Sequence, residues 1–329
     1  MTSFLHHLHA QYTTHPDEIA AVVACVTPAA IVRQDKIVRG YDNEVYRVST
    51  EDGIGLIVRI RRRSEVSMAD EAWAIAQVRA AGAPVPDVLL CDRRWLDGAE
   101  RDVMVQRAMA GRPLADLAAT LTPEQVRACL VQAGAALVPI HSVAVAGFYQ
   151  RHHGVWDFAS WAEVAASNLR DRTAERAAVL SVGVTAAEFA TLITKLDELQ
   201  RRLPWTQPVL LHGDFTPEHL LFDDALTLTG IIDFGDFQGG SPMIDLHELL
   251  SHTVGWGLDE QERVEWVRAG YGPAPIWEHL VERQLMHAIG QTIGSLTYHV
   301  AIKDTVSAAQ GAARLRQLLA QIQATPIAC

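Results

Sequence analysis

The feature that most limits how this chain can fold is a pair of acidic motifs separated by one short hairpin. The first is His212-Gly213-Asp214-Phe215-Thr216-Pro217-Glu218-His219, which runs into Leu220-Leu221-Phe222; the second is Gly230-Ile231-Ile232-Asp233-Phe234-Gly235-Asp236. Leu220–Phe222 and Leu226–Ile232 read as two strands, because apolar and β-branched residues flank an acidic turn at Asp223-Asp224. Pairing those strands sets the start of one beside the end of the other. Asp214, His219 and Asp233 then gather around one point, although 19 positions separate the two aspartates.

The rest of the chain divides by pattern. Residues 16–30 are apolar and helix-compatible. Lys36–Arg39 and Glu44–Ser49 read as strands around the turn Gly40-Tyr41-Asp42-Asn43, and Gly55–Arg61 alternates as a half-buried strand does. Ser67–Ala81 has helical spacing and is closed by Gly82 and Pro84. Val88–Cys91 and Asp102–Gln106 complete an antiparallel sheet with one inserted helix. Beyond Gly111, helices are predicted over 123–141, 157–179, 185–202, 243–255, 259–270, 275–301 and 303–323. The expected class is α+β and bilobal: a small antiparallel-sheet lobe over 1–107 and a larger, mainly helical lobe over 108–329. The lobes are expected to meet near Gln106–Ala110.

This order points to phosphoryl transfer. A phosphoryl donor carries several negative charges, so its site needs divalent cations, a protein cation on the phosphates and a carboxylate near the acceptor hydroxyl. The step from Asp214 to Asp233 through a hairpin matches the catalytic loop and Asp-Phe-Gly arrangement of kinases. Kinases place a lysine on the third strand, held by a helix glutamate. The only lysines here are Lys36, Lys195 and Lys303, none on that strand. Arg59 is the candidate, with Glu71 as its partner; the competing reading makes it part of a solvated basic edge with Arg61, Arg62 and Arg63. Arginine keeps the charge and the phosphate-binding fork.

Other classes fit less well. Only nine residues separate Gly235 from Asp245, too few for the activation segment that seats a peptide in protein kinases, and no Ala-Pro-Glu-like motif follows. A metal-dependent hydrolase with His212, Asp214, His219 and Asp233 as ligands leaves Arg59 and Glu71 without a task; His212 fits better as a structural hydrogen bond beneath its loop. The intact Asp214 and Asp233 argue against an inactive nucleotide binder. A net charge of −11 disfavours nucleic acid and is compatible with a cationic small molecule. Four scattered cysteines (Cys25, Cys91, Cys129 and Cys329) without a CxxC pair, no apolar run of membrane-spanning length, and no signal-like start predict a cytoplasmic protein without a membrane segment.

With Gly40–Val48, Arg59, Glu71, Gly82-Ala83-Pro84-Val85-Pro86, Met104-Val105-Gln106 and the two acidic motifs in view, the chain resembles the aminoglycoside phosphotransferase family over nearly its whole length. His219 stands where the family's usual motif has asparagine, as in aminoglycoside 2''-phosphotransferases and macrolide kinases, some of which favour GTP. The resemblance implies that Asp214 is the base that orients the acceptor hydroxyl. It implies that His219 and Asp233 bind Mg2+, with Mn2+ as an alternative because imidazole is a less usual magnesium ligand. Loop 40–45, including Asn43, would cover the phosphates of ATP or GTP, Arg59 and Glu71 would hold them, and the base would bond near Gln106 and Ala108. Asp245 would brace the catalytic loop. The acceptor would be a small hydroxyl compound: an aminoglycoside, a macrolide, or a metabolic amino alcohol or sugar. Glu248 and His252, and the aromatics Trp256, Trp266, Tyr271, Trp277 and Tyr298, are candidates to face it. His141 reads as a satisfied buried histidine, and His6, His7 and His9 as incidental surface residues.

Overall fold

The computed structural model describes residues 9–40, 42–63 and 67–324. His6, His7, Tyr41 and Cys329 lie outside the described residues. The first helix that lies wholly within the described residues is α1 (Pro16–Val23), whose first turn is closed by a reciprocal bond pair between His15 and Glu18. Five antiparallel strands follow: β1 (Ile31–Ile37), β2 (Asn43–Thr50), β3 (Gly55–Arg61), β4 (Val88–Leu96) and β5 (Ala99–Arg107), in the order β1-β2-β3-β5-β4. Helix α2 (Met68–Ala80) is inserted between β3 and β4, with Ser67 accepting from Ala69 N–H as its cap.

Period-two alternation splits this sheet between two cores. Val103 and Val105 face outward to join Ile19, Val22 and Val23 of α1. Met104, between them, faces inward and packs with Met68, Ile75 and Val78 of α2. That inner core continues without a break into the second half of the chain through Leu130, Phe215, Phe222, Phe234 and Leu249. The sheet and the helical half are therefore welded through α2.

The helical half begins with β6 (Arg112–Pro113), α3 (Leu114–Leu117) and α4 (Pro123–His141), the last capped reciprocally by Thr122 and Gln125. Next come the hairpin β7 (Phe148–His152) and β8 (Val155–Phe158), then α5 (Trp161–Ala174), α6 (Arg176–Ser181) and α7 (Ala186–Arg202). Short strands β9 (Val209–Leu211), β10 (Leu220–Phe222), β11 (Leu228–Ile231) and β12 (Gln238–Gly240) precede α8 (Met243–His252), α9 (Glu260–Tyr271), α10 (Leu280–Ala301) and α11 (Thr305–Ala324). A second core, with Leu196, Leu199, Ile289, Ile293, Leu315 and Leu318, holds α7, α10 and α11 together. Helices α4 and α9 touch backbone to backbone: a Cβ on Gly134 would lie 2.1 Å from Val267 O, and one on Gly270 1.8 Å from Val131 O.

The α+β, two-lobed class expected from the sequence is the observed one. Several local expectations need correction, among them the first strand, which runs Ile31–Ile37 and not from Lys36 to Arg39. The helix predicted over 157–179 starts at Trp161 and breaks at Glu175, and the hairpin β7–β8 before it was missed. Its strands are only five and four residues long, and Tyr149, within β7, has φ 63°. That conformation interrupts the alternation by which a strand is recognised. The hairpin is not peripheral: Asp70 of α2 accepts from His153 N–H at 2.7 Å and Gly154 N–H at 3.1 Å and pairs with Arg151. The Arg151 guanidinium lies 4.1 Å from the Trp73 ring centre.

Candidate active site

The loop between β9 and β10 is fixed from below by one carboxylate. Asp245, in the first turn of α8 and fully buried, accepts from His212 N–H and Gly213 N–H, each at 2.8 Å, and from His141 Nε2 at 3.0 Å. Burial opposes its ionisation, yet the His141 hydrogen bond and the nearby imidazoles hold the carboxyl below its ordinary value. His141 is in turn bonded to the Tyr271 hydroxyl at 3.0 Å, so it is a satisfied buried histidine. His212 donates Nε2–H to Ile232 O at 2.9 Å, the structural bond expected of it, and its Nδ1 accepts from Asp214 N–H. Burial, with His219 adding to it, keeps that imidazole neutral.

Gly213 allows the loop to turn. It has φ +85°, and a Cβ there would lie 1.8 Å from Asp236 O. The β10–β11 register, Leu220↔Ile231, puts Ile232 N–H on His219 O at 3.0 Å, so Asp233 emerges beside His219. His219 Nδ1 donates to Asp214 O at 2.8 Å, which turns Nε2 toward Asp233 Oδ2, 3.9 Å away. Thus Asp214, His219 and Asp233 do converge. Asp236 joins them and was missed, although it closes the same motif. Burial, then the charges of Asp214, Asp233 and Asp42, push its carboxyl up to about 6.

Arg59 crosses from the sheet to this cluster. It is 5% exposed, pairs with the fully buried Glu71 and places Nη2 3.0 Å from Asp233 Oδ1. Arg59 therefore differs from Arg62, which pairs with Glu44 and Asp97 away from the cluster. Asp233 itself has φ 67°, a left-handed conformation that a non-glycine residue adopts at a cost. Burial works against its ionisation, but Arg59 and His219 outweigh that and hold the carboxyl low.

These donors suit a magnesium-like ion. Magnesium is held by one or two carboxylates, with substrate phosphates and water completing its shell. Among the described residues no cluster of three or more metal-binding side chains is preformed. A carboxylate and an imidazole nitrogen face each other, within a crowd of acids whose repulsion a cation would relieve. Asn43 and Gln106, singled out from the sequence, carry buried polar atoms without a protein partner, Oδ1 and Nε2 respectively. Ala108 N–H is already bonded to Gly55 O at 2.9 Å.

Beside Gly213 opens a cavity of about 300 Å³, lined in part by Tyr149, Gln200, Met243, Glu248 and Arg283. Glu248 faces it as expected and accepts from Gln291 Nε2 at 2.6 Å. The aromatics expected there do not line it. Trp277 is buried in the core, Tyr271 bonds to His141, and Tyr298 is exposed. Phe148, Tyr149 and Trp161, from the unforeseen hairpin and α5, take that place.

Fold and site together define a two-lobed, kinase-like phosphotransferase. The chain belongs to the phosphotransferase enzyme family APH, whose sequence model matches residues 34–279. It is an enzyme that transfers phosphate to alcohol groups of small molecules. Among solved structures it is similar to a thermostable mutant of aminoglycoside phosphotransferase APH(4)-Ia in ternary complex with AMP-PNP and hygromycin B. Identity there is 16%, covering 90% of this chain and 96% of that one, with a TM-score of 0.69. The GDP and kanamycin complex of APH(2'')-IIIa is 19% identical, with coverages of 92% and 99% and a TM-score of 0.65. Amicoumacin kinase hAmiN, in complex with AMP-PNP, Ca2+ and Ami, is 15% identical, with coverages of 96% and 96% and a TM-score of 0.63. At these identities the likeness is one of fold. No curated protein matches the sequence at a significant level. Among the described residues no helix is long and apolar enough to cross a membrane.

Proposed function

We propose that this enzyme moves the γ-phosphoryl group of ATP or GTP to a hydroxyl of a small molecule, with Asp214 accepting the hydroxyl's hydrogen bond and then its proton. The observation that carries this reading is the approach of Arg59 Nη2 to Asp233 Oδ1 at 3.0 Å, on the cluster that also holds Asp214 and His219. A cation from the sheet, two acids and an imidazole then border one cleft, with a cavity beside the loop.

In this scheme residues 1–107 form the nucleotide lobe and 108–329 the lobe that binds the acceptor. The base lies between them near Gln106 and Ala108; because Ala108 N–H is engaged, the unpartnered Gln106 amide is the available donor on that strand. Arg59, steadied by Glu71, binds the phosphates beneath loop 40–45, where Asn43 Oδ1 is free to accept. His219 and Asp233 would hold Mg2+ or Mn2+, which offsets phosphate charge. Phosphoryl transfer has a loose transition state, so aligning the hydroxyl matters more than strong base chemistry. Asp214, 39% exposed at its side chain, sits at the mouth of the cleft where it can do so.

The test is Asp214→Asn, assayed by phosphate-ester formation and by nucleotide titration. Turnover falls by about 10²–10⁴ while nucleotide affinity survives. Near-normal turnover refutes the assignment.

A further inference from the structure

The cavity beside Gly213 has a charge pattern opposite to that of the whole chain. We propose that the acceptor is a compact alcohol with an apolar middle and a single anionic group, which Arg283 anchors at the end of the cavity away from the catalytic loop. The inference rests on the phosphoryl-transfer reading above and names its acceptor class.

Three observations carry it. Helix α10 supplies one wall through Arg283, His287 and Gln291, spaced four residues apart and so on one face. From Arg283 to Gln291 that wall runs about 12 Å at 1.5 Å per residue. Gln291 bonds to Glu248, which feels the charge of Asp214 and so marks the end toward the catalytic loop; Arg283, about two turns along the helix and bonded to Leu203 O, marks the other end. Between them the lining is apolar, with Leu196, Met243 and Met286.

The second observation is Arg283 itself. It is 8% exposed, donates to Glu278 O and Leu203 O, lies 5.4 Å from the Trp205 ring centre and feels the charges of Glu278 and Glu282, yet no carboxylate of the described residues forms an ion pair with it. Buried charges are ordinarily paired. The other lining arginine, Arg172, has its partner in Glu175 at 3.2 Å. Gln200, which also lines the cavity, is 3% exposed, and its side-chain oxygen has no partner. A flip of that amide would present an N–H donor instead.

The third observation is the shortage of acid. Glu248 is the one acidic side chain among the described residues that line the cavity. Burial lifts its carboxyl to about 7, against the opposing pull of His252, so at neutral pH it carries only part of a charge. His287 adds no cation, because burial and the neighbouring His247 press it down to about 3. A polycation would meet one partial carboxylate and the Arg283 guanidinium, with Arg172 already offset by Glu175. The volume, about 300 Å³, also lies at the lower end of the roughly 300–1,000 Å³ of small-molecule sites.

The experiment uses three size-matched series of alcohols, carrying a carboxylate, no charge or an ammonium group, with aminoglycosides added to the last. Each is assayed with ATP and GTP for phosphate-ester formation, and nucleotide binding is followed by melting shift. The carboxylate series is expected to exceed the ammonium series in kcat/KM by about 100-fold, as befits a buried charge meeting the right or wrong sign. Arg283→Gln should lower the carboxylate-to-neutral ratio of kcat/KM about tenfold, and Arg283→Lys should restore part of it. A ratio has the merit of cancelling any general loss of folded enzyme.

Comparable or better turnover of the neutral or ammonium series overturns the inference and leaves phosphoryl transfer standing. So does a ratio unmoved by Arg283→Gln, or nucleotide binding with no ester from the carboxylate series. No ester from any series, together with no melting shift from either nucleotide, overturns phosphoryl transfer itself.

Discussion

Arg59 Nη2 and Asp233 Oδ1 lie 3.0 Å apart, joining β3 to the end of the β10–β11 hairpin across 174 positions of sequence. The same guanidinium grips Glu71, which is fully buried and has one carboxylate oxygen without a partner. Burial raises the Glu71 carboxyl while Arg59 opposes that rise, so the Glu71 charge depends on its arginine partner. Under the proposed function, stability and phosphate binding thus fall on one side chain, and they can be separated.

Removing Arg59 alone strands the Glu71 charge. Arg59→Ala is expected to lose about 3–5 kcal/mol of stability, as breaking buried pairs does. The double variant Arg59→Met/Glu71→Met should regain most of that in a denaturant melt, because no unpaired charge remains. Its nucleotide affinity should still be at least about tenfold weaker, since the phosphate-binding fork is gone. Full affinity in the double variant would remove Arg59 from the nucleotide site.

Gly213 offers a second test. Its φ of +85° and the 1.8 Å approach of a built Cβ to Asp236 O make alanine doubly unsuitable. Gly213→Ala should shift Asp214 enough to lower kcat by about 10²-fold, the usual cost of a 1 Å misplacement. Nucleotide affinity, set across the cleft, should change little. Steady-state kinetics and a nucleotide titration check this pair of outcomes.

If His219 is a metal ligand as proposed, it should set the metal preference. Imidazole suits manganese better than magnesium, and Nε2 is the free nitrogen because Nδ1 is engaged by Asp214 O at 2.8 Å. Chelation should abolish turnover. In His219→Asn, activity with Mn2+ relative to Mg2+ should fall several-fold, since an amide oxygen replaces the nitrogen. An unchanged ratio would place the metal elsewhere.

How much of this was legible beforehand follows the range of the interactions. The β10–β11 hairpin was readable because its signal is local: apolar strands around Asp223-Asp224. Hence the convergence of Asp214, His219 and Asp233 could be anticipated. The cavity wall could not. Arg283 and Gln200 lie on different helices, and they approach only through long-range packing of α7 against α10. Nor does a net charge of −11 reveal a cavity lined by two arginines and one acid. Asp70 is similar: its partners, Arg151, His153 and Gly154, belong to a hairpin without a periodic signature.

Acid should unfold this protein through Glu44. That side chain is 1% exposed and accepts from Thr14 N–H at 3.1 Å, Thr14 Oγ1 at 2.9 Å, Tyr46 Oη at 2.5 Å and Arg62 Nε at 3.0 Å, with Lys36 Nζ at 3.0 Å. Burial alone would raise its pKa, but Tyr46, Arg62 and Lys36 more than offset that and lower it to about 2. A carboxyl whose folded pKa lies below its unfolded value binds fewer protons when folded, so it stabilises the fold above the unfolded pKa. That contribution is complete above about pH 4.5 and is lost as pH falls toward 2. Glu44→Gln should therefore be less stable at pH 7 and show a flatter decline through this window in urea melts at stepped pH. A decline as steep as that of the unaltered protein would assign the acid sensitivity to another carboxylate.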